Sequence, residues 1–201
     1  MKKTSKKEII WKVSYEVLNC YLDFYRKENH KYKAAKSWET MKWELRGNVA
    51  ISKLALERFI GDDRLTIKSK AKDRDGASTN GNQNCFVAEH PVPLSVLQDK
   101  FYSLYAKRNP TYEEFKTYFL EFNKICYVWH EEDTAINEKG YKSSVPNFDT
   151  LQESIYARYH EVGIKPIETN HQKGHKLFND LAQQRDRGAN LKEIIKNFDK
   201  S

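Results

Sequence analysis

Apolar side chains recur at three- and four-residue steps along most of the chain, and only in a few short stretches do they run together or alternate. Over residues 5–28, Ile10, Val13, Val17, Tyr21 and Tyr25 keep this spacing with lysines and carboxylates between them, which predicts an amphipathic helix buried by that stripe. Residues 32–46, carrying Trp38, Met41, Trp43 and Leu45, predict a second helix. Gly47-Asn48 interrupts it, and residues 49–60 read as a third helix closed by Gly61 in the position favoured for a left-handed cap. Residues 64–72 instead alternate, which predicts an exposed strand with Arg64, Thr66, Lys68, Lys70 and Lys72 on one face. Residues 73–84, rich in Gly, Ser and Asn, form a loop in this reading.

The pattern changes at residues 85–88, a short apolar run that predicts a strand ending on Glu89-His90. Pro91 and Pro93 then turn the chain, since proline cannot donate to a strand ladder and restricts the residue before it. Beyond them Leu94, Leu97, Phe101, Leu104 and Tyr105 form a helical stripe, with Pro93 suited to the first turn. Thr111 with Glu114 is a capping box opening a helix that carries Phe115, Tyr118, Phe119 and Phe122. Residues 124–129 predict a second short strand, running into a helix from His130 to near Gly140. Asp149 or Thr150 caps a further helix through His160, which Gly163 ends, and residues 177–181 and 191–198 are helical on either side of Arg187-Gly188. The fold class is therefore α+β, helix-rich with a few short strands. The 201 residues read as a single domain with a basic helical part (1–61), a strand-turn-helix part (62–140) and a helical C-terminal part (141–201).

Composition limits the setting. Charged residues make up 31% of the chain and mean hydropathy is −0.84, yet 12 Tyr, 10 Phe and four Trp supply bulk for a core. No apolar run approaches the roughly 20 residues of a membrane span, and the basic N-terminus lacks a signal-peptide core, so the expectation is a cytoplasmic protein without a membrane partner. Cys20, Cys85 and Cys126 are widely separated and support neither a disulfide framework nor a cysteine zinc site. Residues 1–36 carry ten basic against four acidic side chains, so +6 of the net +7 lies there. Such a concentration attracts polyanions, and equally suits a merely solvated surface. Lys6, Lys7, Arg64, Lys68, Lys70 and Lys72 are the candidate phosphate contacts, with DNA preferred to RNA as the partner.

The Glu89-His90-Pro91-Val92-Pro93 turn is the main candidate for chemistry, because an imidazole moves protons near neutral pH and an adjacent carboxylate orients it or binds a cation. Glu89, His90, Val92 and Pro93 resemble the first motif of HNH (ββα-metal) endonucleases: an acidic residue, a histidine, a variable position, an aliphatic residue and a proline. The resemblance implies a β-hairpin followed by a helix, a divalent metal, most simply Mg²⁺, and hydrolysis of phosphodiester bonds in DNA in a restriction or phage-related setting. It makes His90 the general base and Glu89 a metal ligand or orienter. The second half of the site falls to His130 and Asp133 as metal ligands and Asn137 as a catalytic partner; Asp133 and Asn137 share a helix face. About thirty mostly helical residues separate the two halves where the family has a short loop. A homodimer would suit palindromic DNA, by analogy.

The residues alone also allow a plainer reading. His90 could be a turn histidine bonded to backbone, and Glu131, Glu132 and Asp133 could simply favour the positive end of a helix. His171 and His175 are four apart, but Gly174 lies between them and no acidic third ligand is near in sequence, which reads as a solvated pair. Residues 181–198 partly suit a helix-turn-helix but lack a reading helix, so a docking helix is preferred. Walker, dinucleotide and nucleophile-elbow motifs are missing from the sequence. The competing functional classes are a basic DNA- or RNA-binding protein without catalysis and a protein-interaction factor.

Overall fold

A computed structural model describes residues 5–28, 45–68, 85–145 and 154–198. The chain folds as a helix-rich α+β protein, with eight helices and a four-stranded mixed sheet among the described residues. It divides into two compact units, each drawn from two stretches: Met1–Gly47 with Val92–Asn123, and Asn48–Pro91 with Lys124–Ser201.

The first unit contains helices α1 (Lys6–Lys27), α3 (Leu94–Leu104) and α4 (Tyr112–Phe122). Ser5 caps α1 by accepting from the Glu8 N–H (3.2 Å). The face that α1 buries carries Trp11, Ser14, Leu18, Leu22 and Tyr25, whereas Val13, Val17 and Tyr21 are exposed. The stripe expected from Ile10, Val13, Val17, Tyr21 and Tyr25 is thus corrected: of these five only Tyr25 is buried, and Ile10 is half-buried. The helix is apolar on two faces, and aromatic packing selects between them: Trp11 meets Phe115 edge-on at 5.9 Å, and Tyr25 lies 4.6 Å from Tyr102. The predicted capping box of α4 is present, the Thr111 hydroxyl accepting from the Glu114 N–H (3.2 Å) and the Glu114 carboxylate from the Thr111 N–H (2.7 Å). The buried Tyr118 hydroxyl donates to the Leu97 carbonyl at 2.7 Å, tying α4 to α3.

The second unit is built on the sheet β2-β3-β1-β4: β1 (Ala50–Ser52), β2 (Phe86–Glu89), β3 (Cys126–Trp129) and β4 (Pro166–Glu168). β2 runs antiparallel to β3, β1 parallel to β3, and β4 antiparallel to β1. Side chains alternate across the sheet, so both faces are apolar and both are covered. One face places Ile51, Phe86 and Trp129 against α2 (Lys53–Gly61), α7 (Gly174–Asp186) and α8 (Leu191–Phe198), through Phe59, Phe178, Leu181 and Ile194. The other places Ala50, Cys126 and Val128 against Ile136 of α5 (His130–Glu138) and Tyr159 of α6 (Ala157–Glu161). The result is three layers, helix on sheet on helix.

Several expectations change. The helix expected at residues 49–60 begins at Lys53, because Ala50–Ser52 is the sheet's β1 and Ser52 caps α2 by accepting from the Ala55 N–H (3.0 Å). Gly61 ends α2 without a left-handed conformation; among the described residues the glycines with positive φ are Gly140, Gly163 and Gly188. Residues 64–68 form no strand: Leu65 buries into the core, its N–H reaching back to the Asp62 carbonyl (3.2 Å). β4 was not anticipated from sequence. The helix expected at residues 32–46 apart from its last two residues, the loop 73–84, the caps Asp149 and Thr150, and Lys70 and Lys72 lie outside the described residues.

Candidate active site

β2 sends Val87 and Glu89 to the same face of the sheet, the face that α5 and α6 cover, and Glu89 pairs in register with Cys126. The strand ends there because Pro91 and Pro93 follow. The carboxylate of Glu89 therefore enters a partly apolar layer, where it needs a partner. The partner is Arg158 of α6, a guanidinium only 1% exposed. Arg158 donates to Glu89 Oε2 and to the His90 carbonyl through one terminal nitrogen, to the Tyr141 carbonyl through the other (2.6 Å), and to the Pro91 carbonyl through Nε (2.8 Å). One side chain thus fixes three consecutive residues of the turn and the segment that follows α5. The fork of donors on arginine makes this possible; a lysine has neither the reach in two directions nor the number of donors.

α5 returns along the strands toward that end. Its start is anchored by Glu132, whose carboxylate accepts from the Trp129 N–H (2.8 Å) and from the buried Ser52 hydroxyl (2.5 Å), so this acid holds α5 to the β1–α2 junction. One residue on, Asp133 lies close enough to Glu89 for their charges to oppose each other, and close enough to Arg158 and Lys142 to be attracted. Asn137 Nδ2 donates to Asp133 Oδ2 at 3.3 Å. Glu89, Asp133, Asn137 and Arg158 form one constellation, with the His90 backbone held beside it.

Its electrostatics follow from burial. Desolvation pushes the Glu89 carboxyl up from its ordinary range, the Asp133 charge adds to this, and Arg158 opposes it. Asp133 is raised too, chiefly by burial, against the pull of Arg158, Asn137 and Lys142. Glu132 is raised by burial despite its bonds from Ser52 and Trp129. The positive charge beside both carboxylates is that of Arg158. Cys126 is fully buried, and that burial pushes its thiol up toward the neutral form.

The other sequence candidates lie elsewhere. His130 is at the opposite end of the strand pair: its N–H bonds to the Cys85 carbonyl and its Nδ1 is 3.0 Å from the Glu131 carboxylate. Four strand residues at about 3.4 Å each separate that end from Glu89, whereas Asp133 stands one helical turn beyond His130. Lys6 and Lys7 occupy the exposed first turn of α1, and Lys68 is exposed. Arg64 is engaged locally, its guanidinium gripping both oxygens of Asp62 (2.9 and 2.8 Å) and holding that carboxyl down to about 2. The His171 imidazole is 3.5 Å from Asp180, and partial burial lowers its proton affinity.

Among the described residues no three His, Cys, Asp or Glu side chains gather into a ready metal cage. Glu89 and Asp133 are the residues that would hold a divalent cation. Arg158, Lys142 and Ser52 were missed at sequence level. Arg158 is 69 residues from Glu89, and no spacing rule links them. Comparison with family models, with curated proteins and with solved structures finds no match to the chain.

Proposed function

We propose that the chain is a metal-dependent endonuclease that hydrolyses phosphodiester bonds in DNA, acting in the cytoplasm. The observation that carries this reading is the order of elements at the site. A strand ending in Glu89-His90 pairs antiparallel with a second strand, and the helix that follows brings Asp133 and Asn137 back to the Glu89 end. That is the strand-strand-helix order implied by the HNH resemblance, kept although the connection between the strands is long. Glu89 and Asp133 would hold the divalent ion, which supplies charge neutralisation at the phosphate. His90 takes the proton from the attacking water. Arg158 keeps the turn rigid so that the imidazole does not wander. The basic side chains Lys6, Lys7 and Lys68 would contact the backbone of the nucleic acid.

Supercoiled plasmid incubated with Mg²⁺ or Mn²⁺, with and without chelator, tests this directly. Nicking that requires metal and disappears in His90→Ala is expected, with DNA binding and thermal stability retained. Retention is reasonable because Arg158 holds the His90 carbonyl, which the substitution leaves in place. Salt-sensitive binding without strand breakage would favour the non-catalytic reading, and full activity in His90→Ala would overturn the assignment.

A further inference from the structure

We propose that α1 is a dimerisation helix, pairing antiparallel with α1 of a second copy of this chain. Its second apolar face carries Ile9, Val13, Val17, Tyr21 and Phe24, which are 39–57% exposed. At 100° per residue these five fall within an arc of about 120°, distinct from the Trp11, Leu18 and Leu22 face that packs within the unit. A solvated surface helix does not need two apolar faces. The patch covers roughly 450 Å² per chain, so a pair buries about 900 Å², below the standard size and suited to weak, transient association.

The charges around the stripe select a second copy as the occupant. Lys12 and Asp23 sit on the same flank, three turns apart, and both are exposed. Asp23 already holds Arg26 at 2.5 Å but keeps 53% of its side chain exposed. A two-fold axis near Val17 brings Lys12 of each chain level with Asp23 of the other, because equivalent flanks face one another in an antiparallel pair. A parallel pair sets unlike flanks against one another and leaves Lys12 and Asp23 unmatched, so the pattern favours the antiparallel arrangement. The inference does not depend on the proposed chemistry.

Sedimentation of the full chain over a concentration series is the test. A reversible dimer with a concentration-dependent midpoint is expected, weak because the interface is small. Val13→Glu combined with Val17→Glu should raise that midpoint by at least tenfold without changing helix content or melting temperature, since both side chains are exposed in the isolated chain. In a Cys20→Ser background, Val17→Cys should cross-link to itself on mild oxidation while Ile9→Cys should not; Cys85 and Cys126 are buried and do not compete. A chain that stays monomeric throughout, a dimer indifferent to the double substitution, or self-cross-linking at Ile9→Cys in place of Val17→Cys would each overturn the proposal. So would a monomer that binds anionic vesicles through this stripe.

Discussion

Replacing Arg158 by methionine keeps most of the apolar stem and removes the guanidinium. The structure then loses four contacts at once: the Glu89 carboxylate and the carbonyls of His90, Pro91 and Tyr141. Removing one partner of a buried ion pair costs about 3–5 kcal/mol, most of it the penalty of the stranded charge. The carbonyls add to this unless water replaces the guanidinium. A loss of about 4 kcal/mol is expected, equivalent to a melting temperature lower by about 8–16 °C in a chain of this size. Urea titration at several pH values is the assay. Glu89 has its pKa raised by burial, so lowering the pH through that range protonates it and removes the stranded charge. The deficit of Arg158→Met should therefore shrink as the solution becomes acidic. Combining it with Glu89→Gln should recover about 1–3 kcal/mol relative to additivity, because the two side chains share one interaction. Arg158→Lys should restore only part, having three donors for four acceptors. A deficit under about 1 kcal/mol at neutral pH, or strict additivity with Glu89→Gln, would refute the clamp.

Two further outcomes bear on single positions. A Cβ at Gly174 would lie 1.9 Å from Tyr127 Oη and 2.3 Å from its Cζ, and that ring is itself packed on Phe178, so Gly174→Ala should cost about 1–3 kcal/mol in chemical denaturation. Adding Tyr127→Ala should remove the steric part of that loss. Glu114 is held down to about 2 by Arg108 and by the Thr111 N–H, against an ordinary value of 4.5. A depressed carboxylate stabilises above its unfolded pKa, so the melting difference between the native chain and Glu114→Gln should be complete above about pH 4.5 and fade toward pH 2.

Local chemistry was the most legible part of the sequence. The Thr111–Glu114 box, the strand before Glu89, the turn forced by Pro91 and Pro93, and the helix from His130 all depend on neighbours within a few residues, and all are present. Legibility fell where two local solutions compete. α1 has two apolar stripes, and only contacts with Phe115 and Tyr102, some ninety residues away, decide which is buried. Ala50–Ser52 continues smoothly into α2 by periodicity, and becomes a strand only because β3 and β4 lie on either side. Within the candidate site, Glu89, His90, Asp133 and Asn137 could be selected by residue type and helix spacing. Arg158 could not, since its role comes from the fold that brings α6 beneath the Glu89 turn. His130 was selected by spacing along the helix, and α5 starts it at the Cys85 end of the strands, away from Glu89.

The interleaving of the two units along the chain bears on synthesis and dissection. During translation the first unit cannot close until Asn123 has emerged, and by then the opening half of the second unit, including β1, α2 and β2, is already out and waiting for β3. Its central strand pairing is thus postponed to the last third of synthesis, an interval in which an unpaired Phe86–Glu89 edge is open to wrong partners. Neither unit can be freed by one cut in the polypeptide, and each would have to be rebuilt by joining two distant segments.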